Sequence, residues 1–417
     1  MIEIHPSRAP APPASTWTTW TSAPHRVFFL PGAVQLVVSL AFMLWEVAGR
    51  SLGLVAPPPW VVPPAWAHAW QLVFATFPWF IFGFGMTAVP NWTGVRVERA
   101  EWVRAGLPMI AGVVVTTAGF LLSTTVIAIG GLLHVAGWLS GAVAVLRIVR
   151  ESPNRDPQAI AVATLLFTGV AAESTFLFAS VTFHAEVVRI AGLAGLWLFL
   201  LPVFLVVSHR LIPFFSSRVL ADYAAYRPAF SMPFLAAGCA LHFALEATGL
   251  AGWTWIADLP MAAWTGWLAW KWGLAGSFRA KLLAMLHVSL MVLAAAFLLH
   301  ALASLAALAG QPALFGRGPL HLLSIGYFAA MTLGMVSRVS LGHSGRALEA
   351  DPGTWYGFLA IIGVGVLRAL ADLSFMPGEA RAWLLAIAAV AWVAVLGRWA
   401  LRFVPIYLVP RPDGRPG

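Results

Sequence analysis

The sequence predicts an all-α, polytopic transmembrane helical bundle of about twelve spans, and three observations carry that prediction. Of 417 residues, 60% are hydrophobic and 10% are charged, with a mean hydropathy of +0.84. No water-soluble domain has that balance. Apolar runs of membrane-crossing length recur from residue 28 to residue 405, and in lipid a backbone that must satisfy its own hydrogen bonds leaves helices as the spanning form. Finally, Lys and Arg concentrate in alternate connections between these runs, as they do in cytoplasmic loops.

Taken in order, residues 1–27 are rich in Pro, Ala, Ser and Thr and read as a mobile cytoplasmic tail, too polar for a signal-peptide core. The first helix is expected over Phe28–Gly49, followed by a stiff polyproline-like loop, APPPWVVPP, at 56–64. Further helices follow over Trp66–Val89, Val103–Ser123, Val126–Ile148, Ala159–Phe183, Val187–Ser208, Phe230–Thr248 and Trp253–Trp270. Leu282–Ala309, Leu320–Leu341, Trp355–Phe375 and Ala382–Val404 complete a single bundle over 28–405, and 406–417 form a second cytoplasmic tail.

Orientation follows from charge. One set of connections holds Arg8, Arg26, Arg96, Arg99, Arg104, Arg147, Arg150, Arg155, Arg210, Arg218, Arg227, Lys271, Arg279, Lys281, Arg338, Arg346, Arg398, Arg402, Arg411 and Arg415. The other set holds only Arg50, Arg189, Arg317, Arg368 and Arg381. Both termini are therefore expected in the cytoplasm. The net charge of +9 is explained by these scattered loops and does not point to nucleic acid.

Several chemistries are excluded. A single cysteine, Cys239, rules out an internal disulfide and a thiolate-held iron–sulfur cluster. There is no phosphate-cradling glycine loop, HExxH or nucleophile elbow. The Asn91-Trp92-Thr93 sequon falls on the cytoplasmic side and is not read as a glycosylation site. The 21 Trp and 27 Phe fit interfacial belts and helix packing, or flat walls for a planar cofactor.

The eleven histidines sort by side. His5 and His25 lie in the tail, and His209, His287 and His343 near the cytoplasmic face. His68, His134, His184, His242, His300 and His321 all fall in the outer half. Ionisable groups within a membrane are costly and usually functional, and neutral imidazole ligates haem iron and copper. Six histidines in one leaflet can hold haem, copper or both; each taken singly is as well explained by hydrogen-bonded packing. Glu173 lies mid-span, and Glu246 one turn beyond His242; either suits a proton relay or a partner to a ligating histidine, or a purely structural bond.

Three stretches resemble the NnrS family of bacterial membrane proteins: FGFGMTAVPNWTG at 82–94, HRLIPFFSSRVL at 209–220, and HLLSIGYFAAMTLGMVSRVSLGHSGR at 321–346. His287, in LHVSLMVLAAAF, fits a fourth, weaker segment. The motif residues include Asn91, Arg210, His287, Arg338, His343 and Arg346. The resemblance implies a polytopic inner-membrane protein that binds haem and copper and is associated with denitrification and with tolerance of nitric oxide. One departure stands out: where the family often reads His-x-His-Glu, this chain has His68-Ala69-Trp70-Gln71, so one metal ligand and its carboxylate partner are replaced.

A looser, fold-level likeness is to the catalytic subunits of haem–copper oxidases and nitric oxide reductases. On that pattern His68 and His321 are the axial ligands of a haem b, and His134, His184, His242 and His300 supply a copper site. Three functions remain: a haem (and copper) protein acting as an oxidoreductase on nitric oxide or metal–nitrosyl species, fed by a quinol or a periplasmic donor; a proton-coupled transporter; and a non-catalytic assembly or sensing partner of a respiratory complex.

Overall fold

The computed structural model describes residues 15–413 and, among them, contains helices and connecting turns but no strand. Twelve helices carry the architecture. They are α1 (Pro24–Ser51), α2 (Pro64–Thr93), α3 (Arg99–Leu122), α4 (Thr124–Glu151), α5 (Pro157–Val181), α6 (Ala185–Val219), α7 (Ser231–Ala247), α8 (Trp255–Lys271), α9 (Lys281–Leu308), α10 (Gly318–His343), α11 (Pro352–Ala371) and α12 (Gly378–Leu408). Ten are long and apolar enough to cross a membrane; α7 and α8, at 17 residues each, are shorter than the roughly 20 that a hydrocarbon core asks of a helix.

The helix starts are written locally. Pro24, Pro64, Pro157 and Pro352 sit in the first turn, where a missing N–H costs nothing. Asp156 and Asp351 accept hydrogen bonds from the first free backbone N–H groups of α5 and α11, and Ser123 does the same for α4. Glu98 and Glu101 close a reciprocal capping box on α3.

Several boundaries differ from those expected. Helix α1 begins at Pro24 rather than Phe28, and Thr16–Trp20 forms a short helix capped by Ser15, so the segment expected to be mobile is ordered from Ser15 onward. His25 and Arg26, placed in the tail on sequence, are buried. His5, Arg8 and Arg415 lie outside the described residues. Helix α6 runs through Pro213 to Val219, eleven residues past the end expected at Ser208. The Pro-rich stretch after α1 is non-helical and pinned, with Trp45 Nε1 donating to Ala56 O and Val61 N to Phe120 O.

The chain ends share one face. The Arg26 guanidinium donates through Nη1 to Tyr407 O and Val409 O at 3.1 and 2.9 Å, and Trp392 Nε1 reaches Leu36 O at 2.7 Å. Helix α12 therefore packs against α1. The face that holds Arg26, Arg346 and Arg411 is called the basic face below.

Glycines set two close helix contacts that matter for the site. A side chain at Gly365 of α11 would meet the backbone of Gly326 in α10 at 2.7 Å, and one at Gly112 of α3 would run into the backbone of His134 in α4. Small residues let the backbones approach without lipid between them. The first contact draws α11 onto α10 beside His321; the second fixes the depth of His134.

Candidate functional site

The three motif stretches are far apart in the chain and converge in space. Arg210 places its guanidinium 4.3 Å over the Trp92 ring while its Nη1 bonds Asp156 and Gln158 at 2.6 and 2.8 Å. Arg338 lies 4.0 Å over the Phe215 ring. Ser216 Oγ is 3.0 Å from His287 Nε2, which brings in the fourth segment. Asn91 Nδ2 donates to Thr87 O of its own helix at 2.9 Å. Between these contacts lies a small apolar cleft, lined by Phe84, Gly85 and Trp92 of α2, Ser208 of α6, and Met331 and Met335 of α10, among others. A side chain at Gly85 would meet nothing within 4 Å, so this glycine leaves room for an occupant rather than for another helix. Met331 and Met335 belong to the buried core and also line this cleft.

His68 and His321 are brought together at the face opposite the basic one. They lie within electrostatic range of one another, with Arg317 and Arg368 in the same range of His68. His321 Nδ1 is 2.9 Å from Arg317 O and 3.2 Å from Asp372 Oδ2, and Arg368 Nη1 is 2.7 Å from Asp372 Oδ1. A carbonyl oxygen only accepts, so Nδ1 carries the proton and Nε2 keeps its lone pair. His68 Nδ1 is buried with no partner. Burial pushes the Asp372 carboxyl up, but its contacts with His321 and Arg368 outweigh that and hold it below the ordinary aspartate value. The eight residues after His321, Leu322–Ala329, are π-helical, a local widening frequent where function imposes on a helix.

The other outer histidines do not join this pair or each other as one ligand set. His134 and Glu173 form a fully buried pair, Nδ1 to Oε1 at 2.7 Å. Trp70 Nε1 donates to the same Oε1 at 3.0 Å, and the rings of Trp70, Trp79 and Trp138 stand edge-on around the imidazole at 5.6 to 6.3 Å. His134 Nε2 and Glu173 Oε2 have no partner.

His242 forms a second cluster, with Nδ1 2.7 Å from Asp258 Oδ1 and Nε2 3.1 Å from Glu246 Oε2. Trp197, within the π-helical turn of α6, stacks on His242 at 3.5 Å, and His300 lies edge-on to both rings. His300 Nδ1 bonds Ala296 O at 2.9 Å. His184 is exposed in the turn between α5 and α6. Among the described residues, no three His, Cys, Asp or Glu side chains converge as a metal-ligand set. The four histidines expected to supply copper stand in three places, His134 with Glu173, His184 exposed, and His242 beside His300; sorting residues by leaflet gave their depth and not their position around the bundle.

Sequence reasoning missed Trp197 and the pairing of Arg368 with Asp372. An aromatic residue in an apolar helix carries no distinguishing signal, and Arg368 and Asp372 look like ordinary loop-edge charges until α11 closes on α10.

The NnrS protein family model matches residues 19–411, nearly the whole chain. The chain belongs to the NnrS family. The match takes in all twelve helices and all three motif stretches, and with the apolar helices it makes this a multi-pass membrane protein. No curated protein matches the chain. Within the NnrS pattern, the departure at Trp70 and Gln71 now has a structural counterpart. Trp70 fills the space beside His134 and bonds Glu173, and Gln71 is buried with its Nε2 unpartnered.

Proposed function

We propose that this NnrS protein sits in a bacterial inner membrane, with both termini in the cytoplasm, and takes part in the response to nitric oxide by holding haem b at His68 and His321. The observation that carries the reading is the pairing of these two imidazoles, from α2 and α10, with His68 Nδ1 buried and unpartnered and His321 already oriented through Nδ1 by Arg317 O and Asp372. That orientation supports axial ligation, because a ligating histidine ordinarily donates its other ring N–H to a carbonyl or carboxylate. Asp372 and Arg368 hold His321 in the required tautomer, and the close Gly326–Gly365 contact keeps α11 near enough for them to do so. When bound, haem supplies an iron centre able to take up nitric oxide and exchange single electrons with a quinol or a periplasmic donor. Copper does not enter this reading, since its expected donors are dispersed.

The test is optical. Protein purified from haem-replete cells should show a haem Soret band that shifts on adding nitric oxide. His321→Ala should lose the band. Asp372→Asn should retain haem with about tenfold lower affinity, as for a residue that orients a ligand. A His321→Ala variant with the wild-type spectrum would overturn the assignment. A second reading, proton-coupled transport, is favoured by the Glu246–His242–Asp258 chain in α7 and α8. It expects a colourless protein in which Asp258→Asn abolishes uptake driven by a pH gradient.

A further inference from the structure

The function above leaves unused the histidine and arginines that close the third motif stretch, and these stand in an unusual group. His25 on the first turn of α1 is 3% exposed, its Nδ1 without a partner, and its ring lies 4.9 Å from that of His343 at the end of α10. Arg26 beside it is 2% exposed. Its Nη1 caps the carbonyls of Tyr407 and Val409, but its Nε is unpartnered. Arg346 follows α10 and has a buried Nη1 with no partner. Arg411 donates to His343 O through Nη1 and pairs with Asp413 through Nε and Nη2. Arg346 and Arg411 both lie within electrostatic range of Arg26, and the two imidazoles within range of each other.

Helix capping explains part of this. Arg26 and Arg411 bond the carbonyls at the ends of α12 and α10, where cations are favoured. Capping does not explain why two further guanidiniums gather near Arg26, nor why Arg26 Nε, Arg346 Nη1 and His25 Nδ1 are left buried and unbonded. Buried polar groups are hydrogen-bonded as a rule, and arginine forks match the oxygens of phosphate two at a time. Asp413 is already engaged by Arg411, so among the described pairings the group keeps an excess of positive charge. The group also lies at the basic ends of α1, α10 and α12, and basic clusters beside membrane-crossing helices attract anionic lipid headgroups.

We propose that His25, Arg26, His343, Arg346 and Arg411 form a binding site for a phosphate group, supplied either by an anionic lipid headgroup or by free phosphate. The oxygens take the unbonded Nε of Arg26 and Nη1 of Arg346 and join α1, α10 and α12 through a shared anion.

The experiment follows thermal unfolding of the full chain by tryptophan fluorescence. Arg346→Gln is the test variant, because Arg26→Gln would also remove the cap of α12; Arg346→Lys, which keeps the charge without the fork, serves if the first fails to fold. Inorganic phosphate is compared with chloride at matched ionic strength in a maltoside detergent. Nanodiscs of phosphatidylcholine alone are compared with nanodiscs that also contain phosphatidylglycerol. Stabilisation of the wild type by at least about 2 °C, reduced in the variant, supports the site. Seen with inorganic phosphate, it identifies the free anion; confined to phosphatidylglycerol, it identifies the headgroup. No shift in either arm, or equal shifts in wild type and variant, overturns the proposal. So does a variant more stable than wild type in every condition, since that is the result for an uncompensated buried charge.

Discussion

The two buried histidine–carboxylate clusters use the same chemistry in opposite settings. His134 and Glu173 are sealed: neither is exposed, and three tryptophans surround the imidazole. His242 is equally buried, but one of its two carboxylate partners, Glu246, keeps a side chain 35% exposed at the end of α7. The pocket is a low-dielectric surround, so neither His134 nor Glu173 can lose its partner without leaving a buried polar group unmatched. The second cluster has a route by which a proton can reach it. The same residue types thus make a fixed tie in one place and an exchangeable one in the other, and the difference lies in a single partner at the rim.

Breaking the sealed tie should have the largest effect. Glu173→Ala leaves His134 buried without its partner and Trp70 Nε1 without an acceptor, and should cost about 3–5 kcal/mol in unfolding measurements in detergent. Asp258→Asn should cost less, about 1–3 kcal/mol, because His242 keeps Glu246. Glu246→Gln should change stability by no more than about 0.5 kcal/mol, since its pairing is at the rim and screened.

Much of the fold was legible because membrane helices announce themselves by composition. The expected span Leu282–Ala309 corresponds to α9 at Lys281–Leu308, and Val126–Ile148 lies within α4. Errors gathered where polar residues are buried by tertiary contact. Arg26 reads as tail until α12 presents its C-terminal carbonyls, and the HRLIPFF run reads as a loop until Arg210 finds Asp156 and Trp92. For the site, the pairing of His68 with His321 was accessible, since each begins a helix at the same face. The dispersal of the remaining histidines was not. Their arrangement around the bundle depends on which helices touch, and the glycine contacts that decide this, such as Gly112 against His134, carry no long-range label in one sequence.

The bond from Arg26 to the end of α12 makes the bundle a closed ring of helices, in which the first and last elements are neighbours like any other pair. Where the chain begins is then a genetic choice and not a structural requirement. A circular permutant that joins the present ends across the basic face and opens in an exposed connection, such as that between α5 and α6, keeps every helix–helix contact. Such a permutant would put the new ends on the opposite side of the bilayer from the old ones.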